Sequence, residues 1–365
     1  MEKDEYERII SPKRKAVPTP DDLINEGKAA FGTFESEFKK ASLLDCQVFS
    51  KIFRRLKLTQ WEAVEVNLDD IFYVSAISDM GLFGICFNLI FDKKTNKQYN
   101  YFSITTSKAK QKNSKVHVAE NLLFGTESYI HKGKNTKTVI TNVFDKGKAH
   151  LEAVDFSKKL GSFKADFSLE RVSVPSIVSI PFGENQPLYT EKCMFKAKGS
   201  LVFQGKEYFA DDKTFAVIDD HHGYYPKHMH YDWLSFFGTD KDKNPIGCNL
   251  TQNQSVDPTD YNENLIWMPS ESSLLSPVTF TKNHPSRDYQ KEKLIWTIKD
   301  EFGMVNLTYE IKSVYLNHVG TIFKFIGMDY FFFYGVVSGY LLDKNGKKTE
   351  FENYPAIAED KTIVL

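Results

Sequence analysis

The chain is poor in cysteine, has no surplus of charge of either sign, and contains no long hydrophobic run. Its four cysteines, Cys46, Cys86, Cys193 and Cys248, stand far apart with no C-x-x-C pair. Spacing of this kind argues against a disulfide framework and for reduced thiols used as small core residues. Lys and Arg number 47 against 48 Asp and Glu, a net charge of -1. Nucleic-acid-binding surfaces carry a basic excess, so no nucleic-acid partner is expected. No segment reaches the roughly 18 uninterrupted apolar residues of a spanning helix. The longest candidate, Tyr330 to Leu342, is strand-length and broken by glycines, so no stable membrane insertion is expected. The first residues, Met1-Glu-Lys-Asp-Glu-Tyr-Glu-Arg, are charged where a secretory signal would be apolar, and the expected location is cytoplasmic. Also absent are G-x-x-x-x-G-K-S/T, G-x-G-x-x-G after a strand, and G-x-S-x-G. Nucleotide hydrolysis and α/β-hydrolase chemistry are therefore not expected, and no cofactor is implied.

Aromatic residues are plentiful: 30 Phe and 18 Tyr. Rings pack well on a pleated surface, so this excess favours strands over helices. From Trp61 onward the pattern has period two, as in Trp61-Glu-Ala-Val-Glu-Val-Asn-Leu, Tyr99-Asn-Tyr-Phe-Ser-Ile and Val305-Asn-Leu-Thr-Tyr-Glu-Ile. Polar turn clusters separate such runs, among them Asp92-Lys-Lys-Thr-Asn-Lys, Asp145-Lys-Gly and Asp343-Lys-Asn-Gly. About sixteen to eighteen candidate strands result, too many for one small barrel and suited to two. Two helical pieces are expected: a turn within Leu23–Ala30, and Cys46–Leu56, where Val48, Ile52, Phe53 and Leu56 recur near helical spacing. An internal echo supports duplication. Tyr73 to Leu89 and Trp233 to Leu250 each read as an aromatic strand, a turn with Asp, then Gly, Cys and Asn. The reading is all-β, with two tandem antiparallel barrels. Residues 1–30 form an N-terminal arm, 31–182 a first barrel and 183–365 a second. The boundary lies in Ser179-Ile-Pro-Phe-Gly-Glu-Asn-Gln-Pro187, the most linker-like internal stretch.

The densest chemistry is Ile218-Asp-Asp-His-His-Gly-Tyr-Tyr-Pro226, entered from the apolar run Phe215-Ala-Val-Ile. Aspartate and histidine are seldom buried unless paired, so a strand ending this way builds a site more readily than a core. Neighbours on a strand point to opposite faces, which puts Asp220 with His222 and Asp219 with His221. The candidate catalytic residues are Asp220, His221 and Tyr224: an acid that delivers a proton, an imidazole beside it, and a phenol that orients an oxygen. Asp219, His222 and Tyr225 are candidates for ligand contact. Downstream, Trp233, Asn249, Gln252, Asn264 and Trp267 form a polar–aromatic set, with amides for a ligand's oxygens and indoles for its apolar wall. Each group has a plainer reading: Asp219 capping a turn, amides serving loops, indoles filling core. Metal binding is a further option, because His228 and His230 converge on one strand face with Asp220 and Asp232 as possible companions. Their spacing matches no tight signature, and no metal is assigned.

Several segments resemble the family termed domain of unknown function 2804. They are Phe31-Gly-Thr-Phe, Leu43-Leu-Asp45, Lys57-Leu-Thr-Gln-Trp61-Glu-Ala, Leu188-Tyr-Thr-Glu-Lys192, Asp219 to Pro226 with Trp233, Gly247-Cys-Asn-Leu250, Glu263-Asn-Leu-Ile-Trp267 and Tyr334-Gly-Val-Val-Ser-Gly339. His222 occupies a place that is usually Arg, so a role needing a guanidinium fork there is not carried over. The family is similar to proteins made of two lipocalin-like β-barrels, including bacterial hydroxyneurosporene synthase, fungal lipocalin-like cyclases and a yeast survival factor linked to lipid handling. The resemblance implies tandem lipocalin-like barrels with a few short helices and an apolar cavity. Its implied partner is a hydrophobic or amphipathic small molecule, lipid- or isoprenoid-like. Hydroxyneurosporene synthase adds water across an isoprenoid double bond without a cofactor. The expected function is thus ligand binding, with cofactor-independent hydratase, isomerase or cyclase chemistry as its sharper form. The alternatives are a carrier without chemistry and an interaction protein whose own rings fill the interior.

Overall fold

The computed structural model describes residues 14–133, 136–269, 271–284, 289, 293–322 and 326–364. Contacts divide the chain into two compact units, one spanning Val17–Tyr225 and one running from Pro226 onward and including the described residues 14–16. The first unit has eleven strands on one antiparallel path. In chain order they are β1 (Thr59–Asn67), β2 (Ile71–Asp79), β3 (Phe83–Asp92), β4 (Lys97–Thr106), β5 (Val116–His117), β6 (Phe124–Gly133), β7 (Thr136–Val143), β8 (Lys148–Ser157), β9 (Gly161–Arg171), β10 (Pro187–Phe203) and β11 (Phe215–Gly223). In space the order is β4-β3-β2-β1-β11-β10-β9-β8-β7-β6-β5.

This path curls into a nearly closed barrel. Several bonds cross its lumen rather than follow the sheet. Cys86 Sγ on β3 donates to Thr138 Oγ1 on β7 at 3.3 Å, and Ser103 Oγ on β4 donates to Asp155 Oδ2 on β8 at 3.4 Å. The period-two pattern sets the faces. On β8, Ala149, Leu151 and Ala153 turn inward against Phe163, Ala165 and Phe167 of β9, while Lys148, His150 and Glu152 turn outward. One-sided burial of this kind is what alternation encodes.

The second unit has nine strands: β12 (His228–Thr239), β13 (Pro245–Gln252), β14 (Leu265–Trp267), β15 (Ser272–Leu274), β16 (Val278–Lys282), β17 (Leu294–Asp300), β18 (Val305–Ile322), β19 (Ile326–Leu342) and β20 (Lys348–Val364). Their order is β15-β14-β13-β12-β20-β19-β18-β17-β16, an open half-barrel. Leu234, Phe236, Cys248, Trp296 and Phe333 are in its core. The tandem architecture holds, with the second member unclosed. All four cysteines are buried and unbridged. No described helix is long and apolar enough to cross a membrane.

Three boundaries differ from the sequence reading. Ser179–Pro187 is not a linker: Ser176–Pro181 folds back on β10 as a hairpin, with Pro181 opposite Pro187. Its Pro and Gly mark a tight turn, and the break between units falls at Tyr225–Pro226 instead. β10 and β11, which the reading assigned to the second barrel, belong to the first. The expected turn of helix near Leu23 is a small hairpin, Ile24–Asn25 with Lys28–Ala29, because Glu26 and Gly27 both take positive φ (50° and 81°), the requirement of a type I′ turn. Of the expected arm, residues 1–13 lie outside the described residues. Leu23 and Ile24 pack with Phe34, Phe38, Leu43 and Tyr189. Arg14 is buried in the second unit, donates to the carbonyls of Asn262 and Asn264, and is pushed down to about 9 by burial.

Candidate functional site

Every residue of β11 is buried. Its inner face carries Ala216, Ile218, Asp220 and His222, of which Ala216 and Ile218 join the barrel core. Asp220 lies directly opposite Glu191 on β10 and Glu62 on β1. Three carboxyl groups thus stand in one row across three adjacent strands, and all three are buried. Opposed side chains on paired strands have Cβ atoms about 4.5–5.5 Å apart, where like charges repel. The row therefore stays neutral by holding protons. Burial pushes Asp220 well above the usual carboxylate range, with the Asp219 charge adding to it. Burial does the same to Glu191, helped by Glu37 and Asp220. Glu62 is pushed up to about 8, again chiefly by burial.

The next row holds Tyr189, His222 and Gln60. Gln60 Nε2 faces His222 Nδ1 at 2.6 Å, and His222 Nε2 faces Asp220 Oδ2 at 2.7 Å. An amide nitrogen can only donate, so Nδ1 accepts and the ring proton sits on Nε2, donated to Oδ2. Burial holds the imidazole down to about 4, hence neutral. The other oxygen, Asp220 Oδ1, has no hydrogen-bond partner among the described residues. Glu191 repeats the pattern: Tyr189 OH donates to Oε2 at 2.9 Å, and Oε1 is unpartnered. Glu62 is satisfied at both oxygens, by Ser128 Oγ and by Asn142 Nδ2 at 2.9 Å. Two orphaned carboxyl oxygens therefore sit on opposed residues of adjacent strands, inside a barrel.

The outer face of β11 has a separate set. Asp219 pairs with Lys192 at 3.1 Å and with His221 Nε2 at 3.4 Å. The His221 ring stacks on Trp61 at 4.4 Å, and Tyr225 stacks on the same indole at 5.8 Å. His221 is thus a companion of Asp219 and not of Asp220, whose partner is His222. These are the faces that strand alternation predicts; what changes is the candidate catalytic set, in which His222 and not His221 stands beside Asp220. Tyr224 lies beyond the end of β11. Its hydroxyl donates to Leu43 O at 3.0 Å, and its ring packs with Phe49. It anchors the N-terminal segment and orients nothing at Asp220.

The downstream set belongs to the second unit, where its polar groups bond locally except the buried Trp267 Nε1–H, which has no partner among the described residues. Trp233 Nε1 donates to Asn249 Oδ1 at 2.7 Å, and Asn249 Nδ2 to Glu263 O at 3.0 Å. Gln252 Oε1 accepts from Phe280 N, and Asn264 Oδ1 accepts from Thr251 N. Trp267 is fully buried core. These residues do the plainer job of bracing loops and filling core. Among the described residues, one group has metal-ligand geometry, His230, Asp232 and Asp360. Lys282 Nζ already bridges the two carboxylates at 2.7 Å each, so the cluster carries its own cation.

Glu62, Glu191, Gln60 and Tyr189 complete the inner site, and sequence reasoning gave none of them a role. Asp79 Oδ1 takes Lys110 Nζ at 3.1 Å at the same end of the barrel, one strand on from Gln60. A cavity of about 590 Å³ also opens there. Its walls include Lys40, Lys51, Arg54 and Arg55 against Asp45 and Glu120, and the Glu120 charge acts on His222.

A nearly closed antiparallel barrel that carries a buried acid row, and an open half-barrel after it in the chain, make this an all-β protein of two tandem antiparallel units. The chain belongs to the family described as domain of unknown function 2804, whose model matches residues 14–364. No curated protein matches it. Among solved structures it is similar to kievitone hydratase from Nectria haematococca, at 14% identity and a TM-score of 0.48, covering 83% of this chain and 88% of that one.

Proposed function

We propose that the first barrel binds a hydrophobic or amphipathic small molecule and transfers a proton to it without a cofactor, in a hydratase- or isomerase-type reaction. The observation that carries this reading is the pair of orphaned oxygens, Asp220 Oδ1 and Glu191 Oε1. A buried polar atom without a partner costs roughly 1–3 kcal/mol, and two together mark a place where another molecule's polar atom belongs. Asp220 is the acid. Its proton sits on the free oxygen, and His222, backed by Gln60, steadies the carboxylate left behind through Nε2–H. Glu62, braced by Ser128 and Asn142, is raised only to about 8 and so is the acid of the row that ionises first; in that form it takes a proton from water or a substrate C–H and returns it to Asp220, directly opposite, while Glu191 keeps its own proton. The aromatic lumen supplies the apolar wall.

The test uses the full chain, a cell lipid extract and heavy water. Mass spectrometry should find a co-purifying small molecule that gains solvent deuterium at carbon with the wild type. Asp220→Asn should retain that molecule and abolish the labelling. Retention by both with labelling by neither would make the protein a carrier. Labelling by Asp220→Asn at the wild-type rate would remove Asp220 from the reaction.

A further inference from the structure

We propose that the end of the first unit around its cavity is a peripheral docking surface for anionic lipid membranes. Four segments meet there. The helix α1 (Lys51–Lys57) is held by Arg54 Nη1, which donates to Leu44 O at 2.8 Å and Cys46 O at 2.9 Å. The β2–β3 tip abuts this helix, since an added Cβ at Gly81 would lie 2.5 Å from Leu56 O. Residues 107–115 join the tip through Ser107 N to Leu82 O (3.0 Å) and Ala109 N to Gly81 O (2.8 Å). The turn after Glu120 joins residues 39–42 through Ser42 Oγ to Glu120 Oε1 (3.0 Å) and Asn121 Nδ2 to Lys39 O (3.4 Å).

What these segments expose is unusual for a water-facing rim. The helix buries none of its side chains; Ile52 is 66% exposed and Phe53 54%. Leu82 at the adjacent tip is 66% exposed, and Phe124 in the fourth segment 67%. Single exposed apolar residues need no explanation, but a helix that turns its large apolar residues outward beside an exposed leucine does. Apolar residues at helical spacing ordinarily face a core, and here Ile52 and Phe53 face water.

Charge identifies the occupant. The four segments together hold ten basic residues and three acidic ones, Asp45, Asp79 and Glu120, in a chain whose overall balance is -1. Lys108, Lys112 and Lys115 are exposed beside the tip. Basic residues that ring protruding aliphatic and aromatic side chains match an anionic bilayer, whose headgroups take the charge and whose acyl boundary takes the apolar tips. A second copy of the chain would set this basic rim against itself. Bases stack on aromatic faces but gain little from Ile52 and Leu82. The surface shares no residue with the acid row, so it survives if Asp220 proves inert.

The experiment is co-sedimentation of the full chain with phosphatidylcholine vesicles, with and without one-third phosphatidylserine. The wild type should bind the anionic vesicles, bind the neutral ones far less, and release in high salt. Removing two lysine- or arginine-type charges, as in Lys51→Gln/Arg55→Gln, should weaken binding by about thirty-fold. Ile52→Ser/Phe53→Ser should weaken it at least ten-fold with an unchanged melting curve, since these side chains support no core. Equal affinity for both vesicle types, or undiminished binding by Ile52→Ser/Phe53→Ser, would overturn the proposal. So would binding to a single-stranded oligonucleotide in preference to vesicles, or a dimer that the same serine variant dissolves.

Discussion

Both units place carboxyl groups directly opposite one another on adjacent strands, and each neutralises them by a different means. In the half-barrel, Asp232 on β12 faces Asp360 on β20. Lys282 reaches both at 2.7 Å, and Tyr289 OH adds a bond to Asp360 Oδ2 at 2.6 Å. In the closed barrel, Asp220 faces Glu191 and Glu62. The bonds to these acids come from His222, Tyr189, Ser128 and Asn142, and among the described residues no lysine or arginine bonds to them. A fixed ammonium makes a closed, permanent ion cluster that brings strands together and has no capacity left to react. Protons can leave. The same sheet geometry thus gives architecture in one unit and exchangeable acid in the other.

The comparison breaks most visibly at Lys282. Lys282→Met leaves two buried carboxylates facing each other with only the part-exposed His230 imidazole beside them, 3.5 Å from Asp232 and 3.7 Å from Asp360, and stripping one partner from such a cluster costs about 3–5 kcal/mol. Denaturant unfolding should show that loss, and adding Asp232→Asn to the variant should recover part of it. A single variant as stable as the wild type would mean that the half-barrel acids are neutralised like those of the barrel. The second break is smaller and depends on pH. Glu62 keeps its proton up to about pH 8 in the fold, but only to about 4.5 when unfolded. The folded state therefore binds more protons between those values. The stability linked to Glu62 is complete below pH 4.5 and is lost as pH rises through 8. His222 acts in the opposite sense, losing stability as pH falls from 6.5 through about 4, so the window above pH 6.5 isolates the acids. Between pH 6.5 and 8 the wild type should lose about 1–2 kcal/mol more than Glu62→Gln. Parallel stability curves for the two proteins would show that the row is not held protonated.

The sequence disclosed the class of fold and the position of one strand of the site. Period-two alternation made the chain β-rich and split the Asp219–His222 run correctly between two faces. It could not say that β10 and β1 flank β11. Glu191 and Glu62 lie in Leu188–Lys192 and Lys57–Ala63, segments that carry the family resemblance, yet strand neighbours 29 and 158 residues away follow from topology and not from local pattern. Choosing His221 over His222 favoured adjacency in the chain over adjacency in space. The internal echo pointed to duplication and was silent on register. Cys86 and Asn88 are two residues apart and share the inner face, where Asn88 Oδ1 accepts from Tyr73 and Ser75 at 2.8 Å each. In the echo Asn249 directly follows Cys248, so the same motif shortened by one residue sends the amide to the opposite face, onto Trp233. A one-residue offset reverses every side chain on a strand, and a resemblance of composition does not register it.

The smallest expected effect sharpens the border of the reactive region. Tyr224 immediately follows the β11 cluster but leaves its face, spending its hydroxyl on Leu43 O and its ring on Phe49. If the exchangeable protons belong to the inner row alone, Tyr224→Phe removes one hydrogen bond, worth about 1 kcal/mol, and nothing else. Its unfolding midpoint should fall slightly at every pH, parallel to the wild type, with the slope between pH 6.5 and 8 preserved. A changed slope would place the phenol in electrical contact with the acids and extend the site to the mouth segment that Tyr224 holds. A preserved slope confines proton exchange to residues that share the inner face of β1, β10 and β11, because only groups on that face are close enough, and dry enough, to sense whether Glu62 is charged.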